Sequence, residues 1–178
     1  KKHMIRLNYK SDTYLIKNAL DEIKINEFEF ISTILNSDSS ETVKWKTILH
    51  YLDVPYSVLN ELDSEQLLSI VKPFDLADVK IGKFVTKIKI GKQIFLSPKF
   101  ITVKQIALVE EYLEKDNINY IGELIAIIFC EKGKTKDEHL NDVTIKKNGE
   151  LFRYSLNMDK ALPYINLLTA NIFTKYNN

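Results

Sequence analysis

Hydrophobic positions along this chain keep two different rhythms, and the changes between them mark out the elements. In "MIRLNY", Ile5, Leu7 and Tyr9 alternate with polar residues, which predicts a short strand with one apolar side. The spacing then turns helical. "NEFEFISTILNS" predicts a helix from about Asn26, and residues 37–40 form a polar break. In "SSETVKWKTILHYLD", Trp45, Ile48, Leu49 and Leu52 fall at i, i+3, i+4 and i+7, a single inward stripe. Pro55 suits the first turn of a short helix in "PYSVLNEL". Asp63 and Gln66 have capping-box spacing, with Leu62 and Leu67 in staple positions. That helix should stop near Lys72, because Pro73 disfavours helical backbone just before it.

The rhythm becomes two in "KFVTKIKIGKQIFLSP", on both sides of Gly91-Lys92. Glycine at the first turn position favours a type II′ hairpin over about 83–97. Pairing about that turn sets Ile88 opposite Phe95, with Phe84 farther along the same, buried face. The other face carries Lys87, Lys89, Ile94 and Leu96. A phosphate-binding loop would need several glycines, then Lys-Ser or Lys-Thr, then a helix. Here one glycine precedes Lys-Gln and a strand, so Gly91-Lys92 reads as a turn.

After Pro98 the helical rhythm returns. Thr102 and Gln105 predict a capping box, Ile101 and Ile106 a staple, and Ile106, Val109 and Leu113 an inward stripe. "NYIGELIAIIFC" is apolar on most faces, as a central helix is. "EKGKTKDEHLND" reads as a polar loop. In "VTIKKNGELFRY", Asn148-Gly149 supplies the positive-φ pair of a type I′ turn. A second hairpin is therefore expected over about 143–154, with Val143, Ile145, Phe152 and Tyr154 on one face. A last helix should begin near Asp159, with Pro163 early in it. The sum is an α+β fold, mostly helical, with two β-hairpins and a short N-terminal strand.

Composition narrows the class. A chain of 178 residues, 45% apolar and 28% charged, can bury a core without a metal or disulfide staple. One domain over residues 4–178 is expected, with a helical group at about 20–74 and a hairpin-plus-helices part at about 80–178. Residues 1–3 are set aside as a tail or cloning remnant, since His3-Met4 suggests a natural start at Met4. The net charge of +1 exerts no global pull on nucleic acid or acidic lipid. Arg6 and Arg153 are the only arginines, which leaves few rigid forks for clamping phosphates. The first residues lack the apolar core of a signal peptide, and no stretch nears the roughly 20 apolar residues of a membrane span, so no membrane contact is expected.

Candidate chemistry is sparse. His139 lies in "KDEHLND" beside Asp137, Glu138 and Asp142, a carboxylate–imidazole cluster that could serve as metal site or general base. The competing reading is a solvated acidic loop. His50 has no second ligand at i+4. Cys130, the single cysteine, follows an apolar run and reads as a small core residue, not a nucleophile. Five glycines leave little for cofactor cradles, and no hydrolase, dinucleotide, EF-hand or kinase motif occurs. No enzyme activity, cofactor or metal is therefore expected. Lys80, Lys83, Lys87, Lys89 and Lys92 make one hairpin basic. That could protect a strand edge from aggregation, attract nucleic acid, or frame a protein-docking patch with Lys87 and Lys89 as rim and Ile94 and Leu96 as centre.

The order of phrases resembles a known group. "KWKTILHYLDVPYSVLNEL", the basic strand pair, "ITVKQIALVEEYL", "NYIGELIAIIFCEKGKTKDEHLND" and "MDKALPYINLLTANIF" follow one another as in small morphogenesis proteins of tailed bacteriophages. Tail-assembly chaperones and baseplate-hub assembly proteins are the types resembled, along residues 41–173. The group would place a helix where Asn148-Gly149 reads as a hairpin. The resemblance implies a viral protein acting by protein binding in virion assembly, as chaperone, adaptor or minor structural component. Its partners would be phage tail, tape-measure or other virion proteins, met in the cytoplasm of an infected bacterial host or in the virion. It implies no catalytic residue. A nucleic-acid-contacting phage or host factor using the lysine hairpin is the alternative, and an enzyme using the His139 cluster a second.

Overall fold

A computed structural model describes residues 4–17, 22–72, 83–114 and 120–176, with side chains in the last segment up to Leu168. The fold is α+β and mostly helical, with a two-stranded and a three-stranded antiparallel sheet among the described residues. None of the described helices is long and apolar enough to cross a membrane. The described residues group into two compact units. One holds residues up to 23 and 30–72, the other residues 24–29 and 83–176.

The first unit opens with strands β1 (Ile5–Tyr9) and β2 (Asp12–Ile16), paired with Leu7 opposite Tyr14. The expected lone strand is thus one arm of a hairpin. Its turn, Lys10-Ser11, lacks the residues that usually mark such a turn, yet Lys10 takes the left-handed conformation at φ 52°. Helix α1 (Ile25–Leu35) belongs to this unit from Phe30 onward, followed by α2 (Glu41–Tyr51), α3 (Tyr56–Leu59) and α4 (Ser64–Val71). Ile48, Leu49 and Leu52 are buried as the stripe predicts, and Trp45 is half-buried. Helix α2 ends in a Schellman motif. The Val54 N–H donates to the Leu49 carbonyl at 3.0 Å and the Asp53 N–H to the His50 carbonyl at 3.1 Å. Asp53 occupies the left-handed position at φ 72°, where glycine is usual. The expected capping box of α4 is present, with the Gln66 N–H on Asp63 Oδ1 at 2.8 Å and the Asp63 N–H on Gln66 Oε1 at 3.0 Å.

The second unit holds β3 (Lys87–Ile90), β4 (Gln93–Leu96), α5 (Val103–Leu113), α6 (Ile121–Ile128), β5 (Cys130–Glu131), α7 (Lys136–His139), α8 (Asp142–Ser155) and α9 (Met158–Tyr176). All eight residues of α6 are buried, so this helix is the centre that its apolar faces predict. Helix α5 starts with the predicted Thr102–Gln105 capping box. Its inward face is turned from the expected one, to Gln105, Val109 and Tyr112, while Leu113 is exposed. Two polar groups account for the turn: Gln105 Nε2 donates to the Ile127 carbonyl at 2.8 Å, and the Tyr112 hydroxyl donates to Asp142 at 3.2 Å.

The hairpin expected over 143–154 is a helix, α8. Asn141 caps it, its side chain accepting from the Thr144 N–H at 2.9 Å. Ile145, Asn148, Gly149 and Phe152 are buried at i, i+3, i+4 and i+7, whereas Val143 and Tyr154, which alternation placed inside, are exposed. Asn148-Gly149 is no turn but the floor of a helix crossing. A Cβ on Gly122 of α6 would lie 2.3 Å from the Gly149 carbonyl oxygen, and a Cβ on Gly149 would lie 3.0 Å from Glu123 Cα. Two missing side chains let α6 and α8 approach this closely.

Candidate functional site

The basic hairpin forms as its alternation and turn demand. Gly91 has φ 56° at the first turn position, which a type II′ turn requires. Ile88 faces Phe95, Lys89 faces Ile94 and Lys87 faces Leu96. One face is anchored, since Ile88 and Phe95 are buried and Phe95 packs edge-on against Phe152 with centroids 4.7 Å apart. The register brings Lys87, Lys89, Ile94 and Leu96 together on the other face. Both lysines are exposed, Leu96 is 39% exposed and Ile94 is half-buried. Phe84 is not in the anchored set. It is 58% exposed and lies edge-on to Tyr164 at 5.1 Å, because the strand begins only at Lys87 and the alternation does not reach back to it. Lys80 lies outside the described residues; Lys83 and Lys92 are exposed.

The hairpin is part of a three-stranded sheet ordered β3-β4-β5, so β3 is an edge of the sheet among the described residues. Its hydrogen bonds decide which groups look outward. In antiparallel pairs, successive residues direct their N–H and C=O groups alternately toward and away from the partner. The Ser97 N–H donates to the Thr86 carbonyl at 3.1 Å, so Thr86, Ile88 and Ile90 bond toward β4. Lys132 N–H donates to the Ile94 carbonyl at 2.8 Å, on the far side of β4, as the same alternation requires. Val85, Lys87 and Lys89 therefore aim their backbone groups away from β4. The Val85 carbonyl accepts from the Tyr164 hydroxyl, and β3 has no strand partner other than β4 among the described residues.

Beside this edge runs a groove of about 200 Å³. Leu156 and Lys160, from the junction of α8 and α9, form its opposite side. No sequence signal points to these residues, because the chain folding that brings them to β3 is long-range. Among the described residues the groove's lining holds no carboxylate. Glu131 on β5 accepts from Lys134 at 2.8 Å and from Gln93 at 2.9 Å, and these bonds hold its carboxyl below the usual range.

The residues around His139 do not converge. His139 is 1% exposed and donates from Nε2 to the Ile127 carbonyl at 3.3 Å. Burial holds its imidazole below the ordinary histidine range, with Lys134 adding to the effect and the Ile127 bond opposing it. Asp137 pairs with Lys104 at 3.2 Å, Glu138 accepts from the Thr135 N–H at 2.8 Å, and Asp142 pairs with Lys146 at 2.7 Å. No group of histidine, cysteine and carboxylate side chains suited to a metal occurs among the described residues. Cys130 is half-buried on a strand instead of fully inside, and burial pushes its thiol up, away from the reactive thiolate.

A buried ionic set lies at the α6–α8 crossing. Arg153 donates from Nε to Glu29 at 2.8 Å and from Nη2 to Glu123 at 2.6 Å. Burial raises the Glu29 carboxyl, with Arg153 working against it; burial lowers Arg153, but the two carboxylates outweigh this and raise it overall. The set joins the first turns of α1 to α6 and α8. Sequence reading singled out Arg153 as a rare arginine but offered no partner for it. Comparison with protein-family models, curated proteins and solved structures finds no significant match.

Proposed function

We propose that this protein works by contact, as a non-enzymatic virion-assembly protein of a tailed bacteriophage. The observation that carries the contact reading is the hairpin: one face is anchored in the core, and the other presents Leu96 and Ile94 framed by Lys87 and Lys89. An apolar centre with a charged rim is the usual anatomy of a protein-docking patch. The phage reading rests on the order of sequence phrases. It gains support from α8, since a helix stands where the resemblance asks for one. Tail-assembly chaperone, adaptor and minor structural component are the roles it includes. Tail, tape-measure or other virion proteins are the partners. The test is purification of the tagged chain from phage-infected bacteria, with the bound proteins identified. Recovery of a tail, tape-measure or capsid component, lost on Leu96→Asp, supports the reading. A partner set free of virion proteins refutes it.

Nucleic-acid contact is the second reading, favoured by the exposed lysines 83, 87, 89 and 92 on one hairpin. It predicts DNA or RNA retardation that weakens steeply with salt. Absence of retardation at low salt ends it.

A further inference from the structure

We infer that the edge of β3 turned away from β4 receives an extended acidic segment of a partner protein as an added strand. The inference rests on the contact reading above and names the partner's chemistry. Three observations meet at this edge. The backbone N–H and C=O groups of Lys87 and Lys89 point away from β4 and meet no strand among the described residues. A groove of about 200 Å³ runs beside them. Among the described residues its lining carries Lys87, Lys89 and Lys160 and no carboxylate. Lysine on a strand edge can serve simply to keep other edges away. Edge protection alone, however, requires neither a groove nor a third lysine from a distant helix facing the same space.

The geometry specifies the occupant. A strand added to β3 alternates its side chains between the two faces of the sheet. Those beside Lys87 and Lys89 lie on the basic face and are best acidic. Those beside Ile88 and Ile90 lie on the opposite, buried face and are best apolar. The partner segment therefore alternates carboxylate and apolar residues. Its reach is bounded at one end, where the Tyr164 hydroxyl already occupies the Val85 carbonyl. A nucleic-acid strand meets the lysines but lacks the alternating amide and carbonyl groups that the edge offers.

The experiment is an amide-resolved NMR titration of the full chain with an eight-residue peptide alternating glutamate and valine. A lysine–valine peptide and oligothymidylate serve as comparison probes. The expected result is saturable movement of the Lys87 and Lys89 amide signals with slowed exchange, weakening as salt rises from about 50 to 500 mM. Lys89→Pro removes an N–H that does not belong to the β3–β4 ladder, so it should leave that ladder intact. It should lower peptide affinity by about tenfold, the weight of one lost bond at the upper end of the usual range. Lys87→Glu with Lys89→Glu should reverse the preference to the lysine peptide, and this covers the case in which proline disturbs the strand. Failure of the glutamate peptide to move these signals at millimolar concentration overturns the inference. So does equal response to the lysine peptide, or displacement of the peptide by oligothymidylate. The two readings fail separately: peptide binding at the edge with no virion partner in the purification would sink the phage role alone, and a virion partner retained by Lys89→Pro and the double glutamate variant would sink the added strand alone.

Discussion

Gly122→Ala puts the α6–α8 crossing to the test. Alanine is the better helix former, so helix propensity by itself predicts a gain of about 1 kcal/mol. The new Cβ, however, would stand 2.3 Å from the Gly149 carbonyl oxygen, which belongs to the backbone of α8 and cannot rotate aside. Relief requires the helices to part by roughly an ångström, which loosens the packing between them; overpacking of this kind costs about 1–3 kcal/mol. A rigid backbone neighbour puts the cost near the upper end, and a net loss of about 2 kcal/mol remains. The reporter must sit in the right unit. Trp45, the only tryptophan, lies in α2 of the first unit, so its emission follows the other half of the chain. Hydrogen exchange of α6 and α8 amides reads the change directly. A loss of about 2 kcal/mol corresponds to roughly 30-fold faster exchange of their slowest amides. A variant that exchanges more slowly than the wild type would show that Gly122 and Gly149 do not meet.

Three further outcomes are expected. His139→Leu should change stability by less than about 1.5 kcal/mol near pH 8, because the Ile127 carbonyl still accepts from Gln105. The folded state holds His139 below its ordinary value of 6.5, so its contribution is present above that pH and lost as pH falls through the folded pKa; denaturation at stepped pH should show the variant losing less stability on acidification than the wild type. Arg153→Met should cost about 3–5 kcal/mol at neutral pH, since it leaves Glu29 and Glu123 buried without their cation. The loss should shrink in acid, where the raised Glu29 carboxyl takes up a proton; a pH-independent loss would argue against the ionic set. Asp53→Gly should raise stability by roughly 0.5 kcal/mol by relieving the left-handed backbone after α2, read through Trp45 emission during urea unfolding.

Local signals were legible wherever one rhythm had no rival. The Asp63 and Thr102 capping boxes, the Gly91 turn and the Ile88–Phe95 pairing all follow from residues a few positions apart. Residues 143–154 carry two rhythms at once. Val143, Ile145, Phe152 and Tyr154 fit a hairpin about Asn148-Gly149, while Ile145, Asn148, Gly149 and Phe152 fit a helix face. Local turn chemistry favours the first. The second wins because α6 offers Gly122 opposite Gly149, a fact of packing that no short window contains. The first hairpin was half hidden for the converse reason: its turn uses Lys10 at a backbone angle that the residue type does not announce. At the candidate site, the side-chain face of Lys87, Lys89, Ile94 and Leu96 was readable from alternation. The groove was not, because Leu156 and Lys160 reach it only through the tertiary fold.

The crossing of α6 and α8 also bears on ancestry. Gly122 is followed at once by Glu123, and Arg153 stands one turn beyond Gly149, so closeness and charge are secured by the same short stretches. A substitution at either glycine would disturb both together, and a bulkier residue at one could not be balanced by trimming the other's absent side chain. Kin that have diverged past recognition in overall sequence should still pair a small residue and an acid on the earlier helix. On the later one they should keep a small residue with an arginine four places on. Such a pattern offers a way to find cousins that whole-chain similarity does not reach.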